Sequence, residues 1–203
     1  MKTINKYITE KLKISKKEKT KRTLFPKDNN ELAEMIADEI KKNGNNCSLN
    51  HIDVSKITDM ALLFSTSDFD GDISEWDVSN VTDMSYMFSR SYFTGDISDW
   101  DVSNVKLMKG VFKGSLFNND ISGWDVRNVE IMYGMFSHSK FNSNISNWDV
   151  SNVTNMYRMF ADSNFNQDIS RWKINPNCNT YDMFTNYKIK DEYKPYKNGV
   201  RIK

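Results

Sequence analysis

The chain has few side chains of the kinds that catalyse reactions, and they do not recur together. It contains only two histidines, His51 and His138, and of these only His51 has a carboxylate close by in the sequence, that of Asp53. No nucleophile motif, glycine-rich phosphate loop or paired metal-ligand spacing accompanies either histidine. We therefore expect no enzyme, no catalytic residue, no cofactor and no small-molecule substrate.

One acidic segment resembles the start of a calcium-binding loop, because Asp68, Asp70 and Asp72 alternate with other residues. An EF-hand loop needs a carboxylate at its twelfth position, but Ser79 occupies that position here. The corresponding segment one repeat later, residues 92–96, replaces two of the three acids. We therefore predict no metal site.

Most of the chain repeats with a period of 24 residues and no insertion. The clearest columns are those of tryptophan and of one phenylalanine, at Trp76, Trp100, Trp124, Trp148 and Trp172, and at Phe64, Phe88, Phe112, Phe136, Phe160 and Phe184. A fixed period of this length is the signature of a repeat architecture. Because a single unit cannot bury its own apolar face, we expect these columns to form a core between stacked units rather than a ligand platform.

Each unit changes its apolar period half-way along. Residues 73–78 place Ile73, Trp76 and Val78 at the spacing of a leucine-rich repeat strand. Val81, Met84, Met87 and Phe88 then follow at the spacing of one helix face. This pattern predicts a short strand followed by a short helix in every unit.

The unit reads Ile-Ser-x-Trp-Asp-Val-Ser-Asn-Val-x-x-Met-x-x-Met-Phe, most clearly at 73–88, 97–112, 121–136 and 145–160. Over residues 49–184 it resembles the BspA-like leucine-rich repeat family, in particular the Mycoplasma-type surface-protein repeat of unknown function. The resemblance implies an α/β fold, a right-handed solenoid with parallel strands and short helices. Members of that family are often bacterial surface proteins that bind host proteins or other cells, so the resemblance implies a protein partner.

The segments outside the repeat predict caps. We divide the chain into an N-terminal leader with capping helices (1–46), a repeat solenoid of about six rungs (47–184) and a C-terminal cap (185–203). One helix is expected over 28–43, with Asp28 or Asn29 as its N-cap, Gly44 beyond its end and an apolar stripe of Leu32, Ile36, Ala37 and Ile40. A shorter helix is expected over 4–14, and a turn at Asn198-Gly199.

Charge is unevenly distributed along the chain. Residues 1–46 carry 12 Lys and Arg against 7 Asp and Glu, residues 47–184 carry 10 against 18, and residues 185–203 carry 6 against 2. A nucleic-acid binder would present a broad basic face, so we expect no nucleic-acid partner. The basic ends raise an alternative function, a structural component that assembles through its terminal segments, and a homo-oligomer or larger assembly stays open.

A column of aspartates, Asp53, Asp77, Asp101, Asp125 and Asp149, lies between the tryptophan and valine columns. Stacked carboxylates about 5 Å apart repel one another unless each accepts hydrogen bonds. We favour a structural role, with hydroxyls such as that of Ser79 as donors, over a stripe that binds cations.

Positions that vary while the repeat holds are the candidates for partner contact. On the strand face these are Glu75, Asp99, Arg127, Asn147 and Arg171, and on the helix side Tyr86, Lys109, Tyr133, Tyr157 and Arg158. Tyr and Arg are the residue types that anchor interfaces. In the leader we expect docking on a partner through Tyr7, Ile8, Leu12, Lys16 and Lys17. The sequence therefore predicts a non-enzymatic protein-binding scaffold that uses its strand face.

The sequence has no apolar run long enough to cross a membrane, and its first residues lack the apolar core of a signal peptide. The leader resembles those of small proteins of gut bacteria and their phages. We therefore expect a cytoplasmic or virion-associated protein, while surface display stays open. Cys47 and Cys178 would lie roughly 24 Å apart across the array, too far for a disulfide.

Overall fold

The computed structural model describes residues 20–186 and 189–203. In this part of the chain the regular elements are one α-helix, α1 (Asn29–Asn43), a 3-10 helix (Asp191–Tyr193) and two short antiparallel strands, β1 (Tyr196–Lys197) and β2 (Val200–Arg201). The 24-residue units themselves consist of turns and loops.

The predicted solenoid of parallel strands and short helices is wrong. Within the described residues, successive units are joined by isolated parallel bridges of one residue each, such as Asp59 with Asp83 and Asp83 with Leu107. The two described strands are antiparallel and lie outside the repeat. The apolar spacing of Val81, Met84 and Phe88 therefore does not produce a helix.

The physical reason is the backbone conformation of what we call the ladder segments, residues 59–66 and their counterparts in each later unit, ending with 179–186. Each ladder segment has a positive φ at two positions four residues apart, for example 58° at Tyr86 and 54° at Arg90. Left-handed residues interrupt a helix. The N–H groups of Met84 and Tyr86 consequently donate to carbonyls of the next unit, those of Leu107 and Lys109, at 2.9 and 2.7 Å.

Aspartate side chains bend the chain between these segments. The carboxylates of Asp72, Asp77 and Asp83 each accept a hydrogen bond from the backbone N–H two residues later, at 3.0, 3.1 and 2.7 Å. The hydroxyl of Ser79 also donates to Asp77, at 2.6 Å. Such turns compete with both helix and strand. Each member of the predicted aspartate column accepts the same bond, so the predicted hydrogen-bonding role is confirmed for Asp53, Asp77, Asp101, Asp125 and Asp149.

Stacked aromatic rings fill the centre of the units. Neighbouring rings of the Phe64 column lie 5.6–5.8 Å apart, and those of the Phe69 column 6.2–6.4 Å apart, all nearly parallel. The tryptophan rings are buried beside them. The prediction that these columns form the core is confirmed.

Helix α1 covers the first unit as expected. The Asp28 carboxylate caps it by accepting from the N–H of Glu31 at 3.0 Å, and Gly44 ends it with φ 82°. Leu32 and Ile36 are buried in the core and Ile40 packs against it, but Ala37 is exposed, contrary to the predicted stripe. The predicted leader helix and its docking residues, Tyr7, Ile8, Leu12, Lys16 and Lys17, lie outside the described residues.

The C-terminal segment folds back on the last unit. The predicted turn at Asn198-Gly199 is confirmed and joins β1 to β2. Ile202 is buried, and the ammonium of Lys197 donates to the carbonyl of Cys178 at 2.5 Å. In residues 20–186 and 189–203, no helix has the length and apolar character needed to cross a membrane.

Candidate interaction surfaces

The residues predicted for a binding face are mostly exposed. Asp99, Arg127, Asn147 and Arg171 are exposed, whereas Glu75 is half-buried. Arg171 lines two shallow cavities of about 290 and 350 Å³, and Asn147 shares one of them. The structure therefore brings Asn147 and Arg171 together.

Glu75 is engaged by the chain's own N-terminal part. Its carboxylate accepts from the backbone N–H of Thr20 at 2.8 Å, and its carbonyl oxygen accepts from the guanidinium of Arg22. Arg22, Glu75 and Asp99 line one cavity of about 340 Å³. This end of the predicted face is thus in part an internal contact.

Arg127 stands where other units have serine, and it takes over the role of that serine. Its guanidinium donates to both carboxylate oxygens of Asp125, at 2.8 and 2.7 Å, and its backbone N–H donates to the same group at 3.2 Å. These bonds lower the pKa of Asp125, with the Arg127 side chain as the main cause. A partner would have to compete with this pair for the Arg127 guanidinium.

Two tyrosines of the second predicted group, Tyr133 and Tyr157, stack with Tyr181, and we call these three rings the tyrosine ridge. The ring centroids of Tyr133 and Tyr157 lie 5.5 Å apart at 12°, and those of Tyr157 and Tyr181 lie 5.9 Å apart at 5°. Tyr181 is 70% exposed, and the other two are half-buried. The ridge therefore runs along the outside of the last three ladder segments.

Arg158 lies against the ridge. Its guanidinium carbon is 5.2 Å from the centroid of the Tyr157 ring, and it pairs with the carboxylate of Asp182 at 3.4 Å. Both residues have a positive φ, 53° for Arg158 and 54° for Asp182. The left-handed backbone thus projects a cation and its partner beside the tyrosines.

A family model described as "Mycoplasma protein of unknown function, DUF285" matches residues 30–140 and 92–194 of the chain. Together these two ranges span well over half of its length. The chain belongs to this family. This match confirms the expected resemblance to the Mycoplasma-type family and the tandem repetition. The description of the family model does not mention leucine-rich repeats. No curated protein and no solved structure matches the chain.

The two histidines of this DUF285 protein lie beside different carboxylates. The Nε2 of His51 is 3.3 Å from a carboxylate oxygen of Glu39 on α1, while Asp53, the expected neighbour, accepts from the N–H of Ser55. The Nε2 of His138 is 3.6 Å from Asp162. Over the described ranges, no cluster of three or more His, Cys, Asp or Glu is arranged to hold a metal ion.

In the calcium-like segment one carboxylate bonds to the next repeat unit and another closes a turn within its own unit. The carboxylate of Asp70 accepts from the backbone N–H of Thr94 in the next unit at 2.6 Å, and that of Asp72 accepts from Ser74.

Tyr181 is the ridge residue that sequence reasoning missed. The signal was available, because Tyr181 follows Tyr157 at the repeat spacing, but the segment after Trp172 departs from the consensus.

Proposed function

We propose that this DUF285 protein is a non-enzymatic protein-binding scaffold and that the tyrosine ridge with Arg158 is its main contact surface. The observation that carries the proposal is the stack of Tyr133, Tyr157 and Tyr181 outside the core. Tyrosine and arginine are enriched at the energetic centres of protein interfaces. Tyrosine supplies a large contact area at a low entropic cost because it has few rotatable bonds.

The stacking of the units does not require tyrosine at this position. The same column holds Ala61, Ser85 and Lys109 in the first three ladder segments. Those segments nevertheless make the same backbone bonds to their neighbours, such as Leu62 N–H to Ser85 carbonyl at 2.9 Å. The rings therefore add an exposed aromatic surface rather than a structural contact that every unit needs.

The arrangement of the rings favours a protein partner. The ring faces of Tyr133 and Tyr157 are turned towards their neighbours in the ridge, so a partner meets ring edges and hydroxyl groups. An apolar edge beside a polar hydroxyl suits the mixed chemistry of a protein interface. The guanidinium of Arg158 adds donors at the same place.

The test uses binders selected from a displayed library of folded protein domains against the unmodified chain. The ridge variant carries Tyr133→Ser and Tyr157→Ser, and the matched control carries Arg171→Ser on the other predicted face. We expect the ridge variant to weaken most selected binders by more than about tenfold while the control leaves them unchanged. Equal losses in both variants, or loss only with Arg171→Ser, would overturn the assignment of the ridge in favour of the other face.

The alternative function is a structural component that assembles through its basic terminal segments. The contact of Thr20 and Arg22 with Glu75 favours it, because a segment next to the basic leader meets the acidic array. The same contact made between two copies would join them. Assembly of this kind weakens with salt, since exposed charges are screened beyond about 8 Å at physiological ionic strength. A monomer of constant size across a salt series would exclude this alternative.

A further inference from the structure

At alternate positions of each ladder segment, beginning with the second, the backbone N–H groups donate to carbonyls of the following ladder segment. The backbone N–H groups of Met156, Arg158 and Phe160 donate to carbonyls in the last ladder segment, at 2.8, 3.2 and 2.9 Å. Every earlier pair of ladder segments repeats this pattern. The amide hydrogens at these alternate positions therefore point towards the C-terminal end of the stack, whereas the N–H of a first residue, such as Asn179, donates backwards to Thr154.

In the part of the chain that the structure describes, the last ladder segment has no following ladder segment to accept from its backbone N–H groups. The counterparts of the three donors above are the N–H groups of Thr180, Asp182 and Phe184, and the described residues provide no acceptor for them. The segment keeps the ladder conformation, with φ 54° at Asp182. Backbone donors are almost always paired in proteins, and an unpaired edge is a template for another chain.

A cavity of about 720 Å³ lies against this edge. One wall is the last ladder segment, including Tyr181, Asp182 and Phe184, and the other is the C-terminal hairpin with Val200 and Ile202. Tyr181 and Val200 expose 70% and 67% of their surfaces there. Apolar surface of this extent beside unpaired donors is typical of a site that another molecule covers.

The cavity is positively charged. Lys197, Arg201 and Lys203 line it, and the carboxylate in its wall, that of Asp182, is paired with Arg158. Lys197 donates to the carbonyl of Cys178 in the last unit and Arg201 to that of Asp191, while Lys203 is exposed. Amide donors and cations together favour an occupant that brings acceptors and negative charge.

A second copy stacked head to tail does not supply such acceptors. Helix α1 lies at the N-terminal end of the stack, and its Leu32 and Ile36 are buried in the core. The side chain of Asn29 at the start of this helix donates to the carbonyl of Ala61 at 3.2 Å. A second copy would therefore present a helix surface to the open edge.

We propose that the open C-terminal end of the stack binds an acidic peptide segment of a partner protein. Alternate backbone carbonyls of the segment accept from the N–H groups of Thr180, Asp182 and Phe184, and its carboxylates lie beside Lys203 and Arg201. The proposal rests on the proposed protein-binding function and adds the chemistry of the partner. Ladder pairing requires left-handed residues, so glycine next to aspartate is the composition that fits the edge best.

The experiment titrates the full chain with a Gly-Asp repeat peptide of about six residues, blocked at both ends, and follows backbone amide signals by NMR. We expect the signals of Thr180, Asp182 and Phe184 to shift together and their hydrogen exchange to slow by about tenfold. A Gly-Lys peptide of the same length is the matched control and should leave them unchanged. Unchanged exchange at these three amides with the acidic peptide would overturn the proposal, as would equal shifts with acetate alone.

Two variants separate the parts of the site. Thr180→Pro removes one donor and should weaken the peptide about tenfold, whereas Thr180→Ser keeps the N–H and should bind normally. Lys203→Glu changes only an exposed charge and should also weaken binding, so the proposal stays testable if Thr180→Pro does not fold. Binding unaffected by Lys203→Glu would contradict the predicted charge pairing.

The ridge variant distinguishes failure of this proposal from failure of the proposed function. Tyr133 and Tyr157 do not line the cavity, so the variant should bind the acidic peptide normally. If selected binders depend on the ridge but the acidic peptide does not bind, only the proposal for the open end is overturned. If the peptide binds but no selected binder depends on the ridge, only the assignment of the ridge is overturned.

Discussion

The indole N–H of Trp124 donates to the backbone carbonyl of Ile97, which lies 3.0 Å away in the preceding unit. The other four tryptophans make the same bond one unit back, at 3.0–3.2 Å. Each indole therefore fills the core and also satisfies a buried acceptor of its neighbour. This explains why tryptophan, rather than another aromatic residue, occupies the column in five successive units.

Replacing Trp124 by phenylalanine should destabilise the stack through this bond. Trp124→Phe removes the indole donor from the Ile97 carbonyl, which then keeps only the backbone N–H of Trp100 at 3.3 Å. The loss of one such hydrogen bond costs about 0.5–1.5 kcal/mol. Denaturant unfolding measures the change in free energy. Tyr181→Phe, which removes a hydroxyl from an exposed ring, should change it by less than about 0.5 kcal/mol. Equal effects of the two substitutions would refute the role of the indole bond.

The core and the caps could be predicted from the sequence because they depend on local or periodic signals. The 24-residue period fixes which residues face one another between units, so the burial of Phe112 and Trp124 follows from stacking alone. The N-cap of α1 at Asp28 depends on a few adjacent residues. Neither inference needs to know the conformation of the rest of the unit.

The secondary structure of the repeat was mispredicted for a physical reason. The apolar spacing of Val81, Met84 and Phe88 suits a helix face equally well, but left-handed residues at Tyr86 and Arg90 turn the N–H groups towards the next unit. Only two of the six ladder segments carry glycine at the first of these positions, Gly110 and Gly134. The left-handed signal is therefore weak in the sequence.

The candidate site was predictable only in part. Tyr133 and Tyr157 stand out because they share a column, whereas the contact of Glu75 with Thr20 joins the repeat to a segment without periodicity. The open edge at Thr180 has no sequence signal at all, because it arises from the direction of the ladder bonds.

The aspartate turns predict a loss of stability in acid. The backbone N–H and hydroxyl of Ser98 lower the pKa of Asp96, and the hydroxyl and N–H of Ser151 lower that of Asp149. A lowered folded-state pKa gives stability that is fully present above the unfolded value, about 3.9, and is lost as pH falls through the folded value. The denaturant concentration at the unfolding midpoint should therefore decrease as the pH drops below about 4. A midpoint that stays constant down to pH 2 would contradict this linkage.

Replacing an aspartate by asparagine separates the contribution of the carboxylate charge to the acid-induced loss of stability from that of the hydrogen bond. Asn144 accepts from the N–H of Ser146 at 2.9 Å, so asparagine supports the same turn without a titrating carboxylate. We expect Asp96→Asn to fold normally and to show a smaller stability loss in acid than the unmodified chain. Asp96→Ala, which removes the acceptor, should be less stable at every pH.

The two free thiols should differ in reactivity. Burial raises the pKa of both, but Cys178 is fully buried whereas Cys47 is only half-buried. The thiolate is the reactive form and must be reached by the reagent. Alkylation of the folded chain followed by mass spectrometry should label Cys47 well before Cys178, and in denaturant both should react at similar rates. Faster labelling of Cys178 in the folded chain would show that the C-terminal segment does not cover it.

Gly110 and Gly134 allow the left-handed backbone and side-chain contact to be tested separately. Both have a positive φ, 52° and 57°. A methyl group at Gly134 would meet nothing closer than the Cβ of Ser137 at 3.9 Å, whereas at Gly110 it would clash with the ring of Tyr86. Gly134→Ala should therefore cost only the left-handed penalty of about 1–2 kcal/mol. Gly110→Ala should cost about 1–3 kcal/mol more, because the ring has to move.

Adding Tyr86→Ala should remove the excess cost at Gly110 and leave Gly134→Ala unaffected, because only the first pair is in contact. A double-mutant cycle measured by denaturant unfolding gives this coupling directly. The ring of Tyr86 lies across Gly110. Its burial is the main reason why the pKa of Tyr86 is raised, and the neighbouring Tyr133 adds to the effect. A zero coupling between positions 86 and 110 would mean that the Tyr86 ring does not rest on the next unit, and the aromatic surface would then be confined to the ridge itself.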